Sequence, residues 1–532
     1  MSVTVLASAP PRSNPTIAYR FWTNQRLSSL LTFALIVGSL AVIGSYLVIA
    51  TAHVNDNYQV THTHFVAGVY TGLAQYVNAG RLYPDLYDGS HFGGTRYMPL
   101  QFLLHAGMAR LTGEYLISGK LLAAGLADVL IVQLFLLLRR SGCSPTISLA
   151  LPSLVLTSSA GFYACTTIRG DLLPVVCQLA ALVTLQRTIS PRKITLAGLF
   201  CTLGILAKLT AVWAPMAITL YLLIRDRRAC FLFVGICLGS LALSLGLLHV
   251  VSGGRMLENF VAVSTAGVGG IGAFLKSPFR LLLTMSKGGT LFQFLVPFVL
   301  IECGLAIRQR RCTLWHYSFA CCVPVLLLIY ADMGTTSNHV VDLIVLSVLL
   351  LGSLWSYLQV NREMTWNMQM VLTLAILWGM ASAWAFIMGH PTQEAASALM
   401  TGKSKYPQKP LAKLVRDDET LLTEDGWVAI SRGQIPTILD TYSLARFAKS
   451  RPELVEKLVS RVERQEFDKI VLLHRLDADD PGDEEWYDMF ISKPVVETVL
   501  RRYRLLAMAE GYCVYVPRRG DAPANLSKGI EE

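Results

Sequence analysis

Residues 30–50 read LLTFALIVGSLAVIGSYLVIA, and residues 53–65, close behind them, read HVNDNYQVTHTHF. A helix needs about 20 apolar residues to cross the hydrocarbon of a bilayer, so the first stretch predicts a membrane span. Similar runs recur as far as Met388, and 53% of the residues are hydrophobic while only 15% are charged. A soluble core does not account for so many such runs. We therefore predict an α-helical multi-pass membrane protein.

The basic residues of the chain form short clusters between the apolar runs. The formal net charge of +10 therefore reports membrane topology, because lysine and arginine are enriched in cytoplasmic loops. This pattern gives no reason to expect a nucleic-acid partner. Most of the eleven cysteines lie inside apolar runs without metal-type spacing, so we expect buried thiols.

The first basic clusters orient the chain in the membrane. Three arginines and no acidic residue precede the first span, so we place residues 1–29 in the cytoplasm as an N-terminal tail. The next basic pair is Arg139 and Arg140, at the end of the following long apolar run. Residues 51–118 then form one long first external loop. Its segment MPLQFLLHAGMARLTG is too short to span and predicts a helix in the membrane interface.

The same counting predicts about eleven transmembrane helices over residues 30–390. Residues 194–224 lie between two basic clusters and must form a hairpin of two short helices, which places Lys208 near the outer face. An odd number of passes puts residues 391–518 outside the cell membrane, where strand-like and amphipathic patterns predict a small C-terminal extracytoplasmic α/β domain. We expect residues 519–532 to be a disordered tail.

Three ionisable residues stand in or beside apolar runs. Asp171 begins an apolar helix, where it serves either as an N-cap or as a catalytic carboxylate. Lys208 has no acidic neighbour in sequence, and a buried ammonium needs a partner, for which an anionic phosphate is suitable. Asp128 lies in the middle of the second span, and we expect it to hydrogen-bond to a neighbouring helix.

Three histidines are further candidates for metal binding or substrate binding. His62 and His64 alternate, so both face one side of an extended segment, and with Asp56 they offer ligands to a divalent ion. No third neutral ligand with clear spacing follows, so we favour a role without metal and leave a divalent metal ion open as a cofactor. His339, in GTTSNHVVD, either caps a helix or hydrogen-bonds to a phosphate or sugar hydroxyl.

The order of several pieces resembles a known superfamily. A first span and a long external loop are followed by NAGRLYPDLYDG, RYMPLQFLLHAGMARLTG, TTIRGDLLPVV and AKLTAVWAP. This order is similar to that of the glycosyltransferase C superfamily, near the protein mannosyltransferase and aminoarabinose transferase relatives. The resemblance implies an enzyme that takes a sugar from a polyprenyl-phosphate carrier at the outer membrane face. Such enzymes pass the sugar to an acceptor hydroxyl and invert the anomeric centre.

The resemblance also implies roles for residues that contact the donor. Asp171 matches the family's acid at the outer end of the fourth helix, Lys208 matches its donor-phosphate lysine, and Arg169 is a second cation nearby. Some relatives carry an acid and a lysine just before the proline, where this chain has Tyr97 and Met98. The substrate-binding residues that we expect are Lys208, Arg169, Arg96, Tyr97 and His339.

The catalytic base is the position at which this chain departs from the family. The resemblance places a carboxylate near residues 63–67, which read THFVA and contain none. We expect Asp56 to act as the base, with His62 or His64 as substitutes, and Asp171 as the other catalytic carboxylate.

The sequence thus predicts a membrane glycosyltransferase that uses a lipid-linked sugar. Its expected partners are a polyprenyl-phosphate-linked sugar, the lipid bilayer and an acceptor that is a glycan, a lipid or a protein. Two alternatives stay open. One is a transporter or flippase for a lipid-linked glycan, and the other is a non-catalytic member of the superfamily that acts as a binding subunit.

Overall fold

A computed structural model describes residues 25–55, 65–186, 188–265, 270–287, 290–332, 335, 337–360, 362–402, 409–476, 487, 490–509 and 511–518. The predicted base Asp56 and its substitutes His62 and His64 lie outside these residues. The expected cytoplasmic tail and disordered C-terminal tail also lie outside them, apart from the first residues of the opening helix.

Helices account for most of the chain up to Thr401, as the sequence predicts. In chain order they are α1 Gln25–Val54, α2 Phe65–Asn78, α3 Pro99–Thr112, α4 Tyr115–Arg140, α5 Pro145–Thr157, α6 Ser159–Thr166, α7 Leu172–Leu185, α8 Pro191–Ala207, α9 Trp213–Arg225, α10 Arg227–Val251, α11 Arg255–Thr265, α12 Ile271–Lys287, α13 Thr290–Arg308, α14 Leu314–Ile329, α15 Val341–Val360, α16 Arg362–Ala383 and α17 Gly389–Thr401. Within the described residues, five helical segments are long and apolar enough to cross a membrane, and the bent pair α5 and α6 is a sixth if counted as one span. The figure of about eleven passes stays a prediction, because α7, α9 and α14 are apolar but shorter.

The apolar run over residues 147–165, one of the stretches counted as a membrane span, is not one straight helix. α5 ends at Thr157 and α6 begins at Ser159, and the two helices are bent by 84°. Ser158 breaks the helix, because its backbone is extended and its Oγ accepts a hydrogen bond from the Gly161 backbone N–H at 3.1 Å. Serine side chains compete in this way with the hydrogen bonds of a helix.

The structure contains the predicted hairpin of two short helices. α8 ends at Ala207 and α9 begins at Trp213, and Lys208 lies in the connection with an extended backbone. The backbone N–H of Ala214 donates to Oε1 of Gln178 on α7 at 3.0 Å. This bond satisfies one of the free N–H groups at the start of α9 and fixes the connection beside α7.

Residues 252–287 contain α11 and α12. α12 exposes the large apolar side chains of Ile271, Leu275 and Phe279 on one face. Such a helix is suited to lie in the membrane interface, with its apolar face toward the acyl chains.

The C-terminal region, residues 409–518, contains a four-stranded sheet. Its elements are α18 Lys409–Leu414, β1 Leu421–Thr423, α19 Gly426–Ile430, α20 Thr441–Ser450, α21 Pro452–Glu463, β2 Lys469–Leu472, α22 Lys493–Arg502, β3 Tyr503–Ala509 and β4 Tyr512–Pro517. The strand order is β1-β2-β4-β3, with β1 and β2 parallel and the other pairs antiparallel. β1 ends at Thr423 because Asp425 starts α19, its Oδ1 accepting from the Trp427 N–H at 3.0 Å.

The C-terminal region packs against the first loop. Phe92 and Ile438 form an isolated parallel bridge. In it, the Phe92 N–H donates to the Thr437 carbonyl at 2.7 Å and the Leu439 N–H donates to the Phe92 carbonyl at 2.9 Å. α19 also packs on α2. Backbone hydrogen bonds therefore hold these two parts of the chain together.

A buried charge network joins α13 to α15 and to the turn that follows α13. Glu302 is fully buried, and its two oxygens accept hydrogen bonds from the Arg311 guanidinium at 2.8 and 2.7 Å. The Ser353 hydroxyl donates to Oε1 of Glu302 at 2.6 Å. The guanidinium also lies 4.4 Å from the ring centroid of Tyr357. A carboxylate at this depth needs both a cation and hydrogen bonds.

Replacing Arg311 by methionine should destabilise the protein by about 3–5 kcal/mol, because buried Glu302 loses the guanidinium that binds both of its oxygens and keeps only the Ser353 hydroxyl and the His316 ring, whose Nε2 lies 3.3 Å from Oε1. Thermal unfolding of the purified protein in detergent measures the effect. Arg308→Met, at the exposed end of α13, is the matched control and should keep the wild-type midpoint. The double variant Glu302→Gln/Arg311→Met should regain most of the loss. A double variant no more stable than Arg311→Met contradicts this account.

Candidate functional site

An ion pair between Asp171 and Lys208 is the centre of the candidate site. The Lys208 Nζ donates to Oδ1 of Asp171 at 2.6 Å, and the Asn338 Nδ2 donates to the same oxygen at 2.9 Å. Asp171 is buried and Lys208 is partly buried. The partner of the lysine is therefore a carboxylate of the chain itself, which the sequence did not reveal.

Asp171 occupies the N-cap position of α7 but does not cap the helix. Its backbone is helical, and its side chain accepts no hydrogen bond from the N–H groups of α7. Both of its hydrogen bonds go to Oδ1, so Oδ2 has no partner among the described residues. Lys208 uses one of three N–H donors on Asp171. Each partner thus keeps hydrogen-bonding capacity for a ligand.

The charges around Asp171 keep its carboxylate ionised. Burial by itself would raise the pKa of this carboxyl, but the positive charges of Lys208 and Arg169 outweigh it and lower the pKa to about 2. A group with so low a pKa is a weak general base near neutral pH. It holds the Lys208 and Asn338 side chains through hydrogen bonds to its Oδ1.

Arg169, two residues before Asp171, has no hydrogen-bond or ion-pair partner among the described residues. Its side chain is half-buried, and its Nε is shielded from solvent without a hydrogen bond. A buried guanidinium N–H without an acceptor is costly, so this group is suited to an anionic ligand. The sequence singled out Arg169 only as a second cation near Lys208.

Two tyrosines form the wall beside this turn. The rings of Tyr70 and Tyr97 have centroids 4.7 Å apart at an angle of 42°. A Cβ on Gly170 would lie 2.1 Å from the Tyr70 hydroxyl, so only glycine lets α2 approach this closely. Burial raises the pKa of both phenols, which therefore stay neutral. Sequence reasoning missed Tyr70, which has the ordinary spacing of a buried helix residue.

Other expected residues border the same group. The Arg96 guanidinium donates to Oδ2 of Asp332 at 3.1 Å. His339 follows Asn338 in the 3₁₀ turn Ser337–Val340, is half-buried and makes no hydrogen bond among the described residues, so the capping role is not observed. Electrostatic interactions connect His339 with Asp171, Lys208, Arg96 and Arg169. The structure thus gathers the expected substrate-binding residues in one place.

The expectation for Asp128 is not met, and a contact of Asn338 was not foreseen. Asp128 is exposed on α4 and makes no hydrogen bond to a neighbouring helix among the described residues, so the expected bond is absent. Asn338 contacts Asp171 but was not predicted, although the stretch GTTSNHVVD had drawn attention through His339. A contact between residues so far apart in sequence has no local signal.

No protein-family model and no curated protein matches the chain. Solved structures do match it. The crystal structure of ArnT from Cupriavidus metallidurans bound to undecaprenyl phosphate has a TM-score of 0.53 and 12% identity, covering 90% of this chain and 97% of that chain. The apo crystal structure of the Archaeoglobus fulgidus oligosaccharyltransferase has a TM-score of 0.51 and 12% identity, covering 95% of this chain and 76% of that chain.

Both proteins are members of the glycosyltransferase C (GT-C) superfamily. This chain has the GT-C fold. The architecture that the sequence resemblance implied is therefore confirmed, since the similarity extends over nearly the whole of the chain.

The described part of the site offers no cluster of metal ligands. Within the described residues, no group of three or more histidine, cysteine, aspartate or glutamate side chains is placed to hold a metal. Oδ1 of Asp171 is already shared by Lys208 and Asn338, and the neighbouring cations repel a metal ion. A structure of the A. fulgidus oligosaccharyltransferase, with a TM-score of 0.50 and 10% identity, is a complex with Zn and sulfate.

The low pKa of Asp171 should make the thermal stability of the protein depend on pH in acid. Because the pKa is lowered from 3.8 to about 2 on folding, the ionised carboxylate stabilises the protein above pH 4 and loses this effect as the pH falls through about 2. Wild type should therefore unfold at a higher temperature than Asp171→Asn by a constant margin from pH 5 to 8. The margin should narrow below pH 4. Midpoints measured in detergent test this, and a margin that closes between pH 6 and 5 contradicts it.

Proposed function

We propose that this chain is a membrane glycosyltransferase that takes a sugar from a polyprenyl-phosphate carrier and transfers it to an acceptor hydroxyl with inversion. The observation that carries the proposal is Arg169, a half-buried guanidinium without a partner among the described residues, beside a lysine with free donors. Guanidinium and ammonium groups are the side chains that best bind phosphate oxygens. The solved ArnT structure with undecaprenyl phosphate supports this class of ligand.

Leaving-group stabilisation is the chemistry that these cations supply. The bond between the sugar C1 and the phosphate oxygen breaks, and its electron pair stays on the departing polyprenyl phosphate. Arg169 and Lys208 donate hydrogen bonds where this negative charge develops. Asp171 keeps the ammonium oriented through its Oδ1. The neutral phenols of Tyr70 and Tyr97 add polar donors without changing the charge.

Transfer also needs a base on the opposite face of the sugar. The base removes the proton of the acceptor hydroxyl, whose oxygen attacks C1 as the carrier leaves, and this inverts the anomeric centre. We propose Asp56 for this role, with His62 or His64 as substitutes. His64 precedes Tyr70 by six residues in the sequence, and Tyr70 lies on α2, so the segment that carries these groups is continuous with an element of the site.

The proposed orientation follows from the basic clusters. With Arg139 and Arg140 in the cytoplasm, the first loop, Lys208 and the C-terminal region lie on the extracytoplasmic face of a cell membrane. The packing of the first loop on the C-terminal region supports a shared compartment for these two parts, since they join through backbone hydrogen bonds.

Removing either cation should weaken binding of the carrier phosphate. Arg169→Ala and Lys208→Ala should each raise the Kd for undecaprenyl phosphate at least about tenfold, since each loses a charged hydrogen bond. The measurement is binding to purified protein in nanodiscs, with undecaprenol as the ligand that lacks phosphate. Arg81→Ala, an exposed first-loop arginine paired with Asp88, is the matched control and should keep the wild-type Kd. Unchanged affinity in both site variants contradicts the proposal.

Asp56→Asn should abolish sugar transfer in membranes supplied with a polyprenyl-phosphate sugar, while binding of undecaprenyl phosphate is retained. The amide cannot accept the acceptor's proton, but it has the same size. His62→Gln and His64→Gln, tested in parallel, should keep transfer. If Asp56→Asn is fully active, the base is His62 or His64. If wild-type protein binds the carrier but transfers no sugar with any donor, the binding-subunit alternative is correct.

A further inference from the structure

Arg96 of the first loop is held by side chains of the C-terminal region. Its guanidinium carbon lies 5.2 Å from the ring centroid of Tyr442, on α20. The guanidinium carbon of Arg446 lies 5.0 Å from the same ring centroid, and Arg446 donates to the Tyr442 hydroxyl. One phenol ring thus contacts two cations, which approach it from different parts of the chain.

Asp332 links the same two arginines. Its Oδ2 accepts from Arg96 at 3.1 Å and its Oδ1 accepts from Arg446 at 3.2 Å. Asp332 lies just after α14, so this arginine cluster combines the first loop, the membrane helices and the C-terminal region. The two guanidinium groups share one carboxylate, and this leaves hydrogen-bonding capacity on Arg96, whose side chain is 41% exposed.

The arginine cluster borders the phosphate site described above. Arg96 is followed by Tyr97, whose ring packs on Tyr70, and the charge of Arg96 acts on both Tyr70 and His339. Asp440, buried at the start of α20, interacts electrostatically with Arg96 and Tyr97. The first turn of α20 therefore adjoins the wall of the site.

An arginine with this exposure populates several rotamers unless its neighbours restrict it. Stacking on an aromatic ring and a charged hydrogen bond both restrict the guanidinium to one orientation. A guanidinium that is already oriented binds an anion more tightly, because less freedom is lost on binding. The contacts of Tyr442, Arg446 and Asp332 have this effect on Arg96.

We propose that Tyr442 and Arg446 are positioning residues for Arg96, which makes the C-terminal region part of the carrier-phosphate site. This inference rests on the proposed function, because it assigns Arg96 to the same ligand as Arg169 and Lys208. The competing explanation is that the arginine cluster only attaches the C-terminal region to the membrane part.

A second contact across the same interface separates the two explanations. Lys457 on α21 lies with its Nζ 4.8 Å from the ring centroid of Tyr87 in the first loop. This pair also combines a cation with a phenol ring, but it has no contact with the site residues among those described. Tyr87→Leu therefore removes an attachment of the same kind and leaves Arg96 in place.

The test compares Kd for undecaprenyl phosphate in nanodiscs among matched variants. Tyr442→Leu should raise the Kd about tenfold, as should Arg96→Met, and the double variant should be no worse than either single one. Tyr442→Phe keeps the ring and should restore most of the affinity. Tyr87→Leu should bind like wild type, and Tyr442→Leu should match it in thermal midpoint.

Each other outcome overturns the inference. If Tyr442→Leu and Tyr87→Leu have the same affinity, or if the losses in the double variant add, Tyr442 does not act through Arg96. If wild type depends on Arg169 and Lys208 but not on Arg96, the proposed function stands and this inference fails. If wild type does not bind undecaprenyl phosphate at all, the proposed function fails, and this inference with it.

Discussion

The ion pair between Asp171 and Lys208 is the interaction on which the arrangement of the site depends. Both charges come from interruptions in apolar helices, one before α7 and the other between α8 and α9. Each interruption leaves backbone groups without partners inside a helix, and such groups need cover from other parts of the protein or from water. The two interruptions lie against each other. Each charge is therefore matched by the other, and each backbone segment outside a helix is covered. Asn338 then fixes the start of α15 to the same carboxylate.

The ion pair neutralises one cation and leaves another. Lys208 is matched by Asp171, whereas Arg169 has no partner among the described residues. The tyrosines beside them are neutral, so they do not compensate the remaining charge. Asp171 already orients the Lys208 ammonium, so this part of the site is arranged for an anion before the anion arrives. This preorganisation is what a reaction that develops charge on a leaving phosphate requires.

Charged residues were predictable from the sequence where they interrupt apolar runs. Asp171 and Lys208 were identified for this reason, and the hairpin around Lys208 followed from the basic clusters on either side. Tyr70 and Asn338 were missed, because an aromatic residue on a helix and an amide in a loop are common, and their contacts join distant parts of the chain. The bend at Ser158 was missed for a local reason, since a serine fits inside a helix as well as at its start. The sequence identified the cations of the site but not the groups that orient them.

The bridge between Phe92 and Ile438 has a consequence for how the protein is made. A ribosome completes the first loop long before the residues around Ile438 are synthesised. Until then, the backbone groups of Phe92 can form hydrogen bonds only with water. The newly made membrane helices are therefore inserted while one wall of the site is still absent. Final assembly of this wall is a late event that follows synthesis of the last segment, and a chain that terminates before Ile438 has most of its helices but lacks this wall.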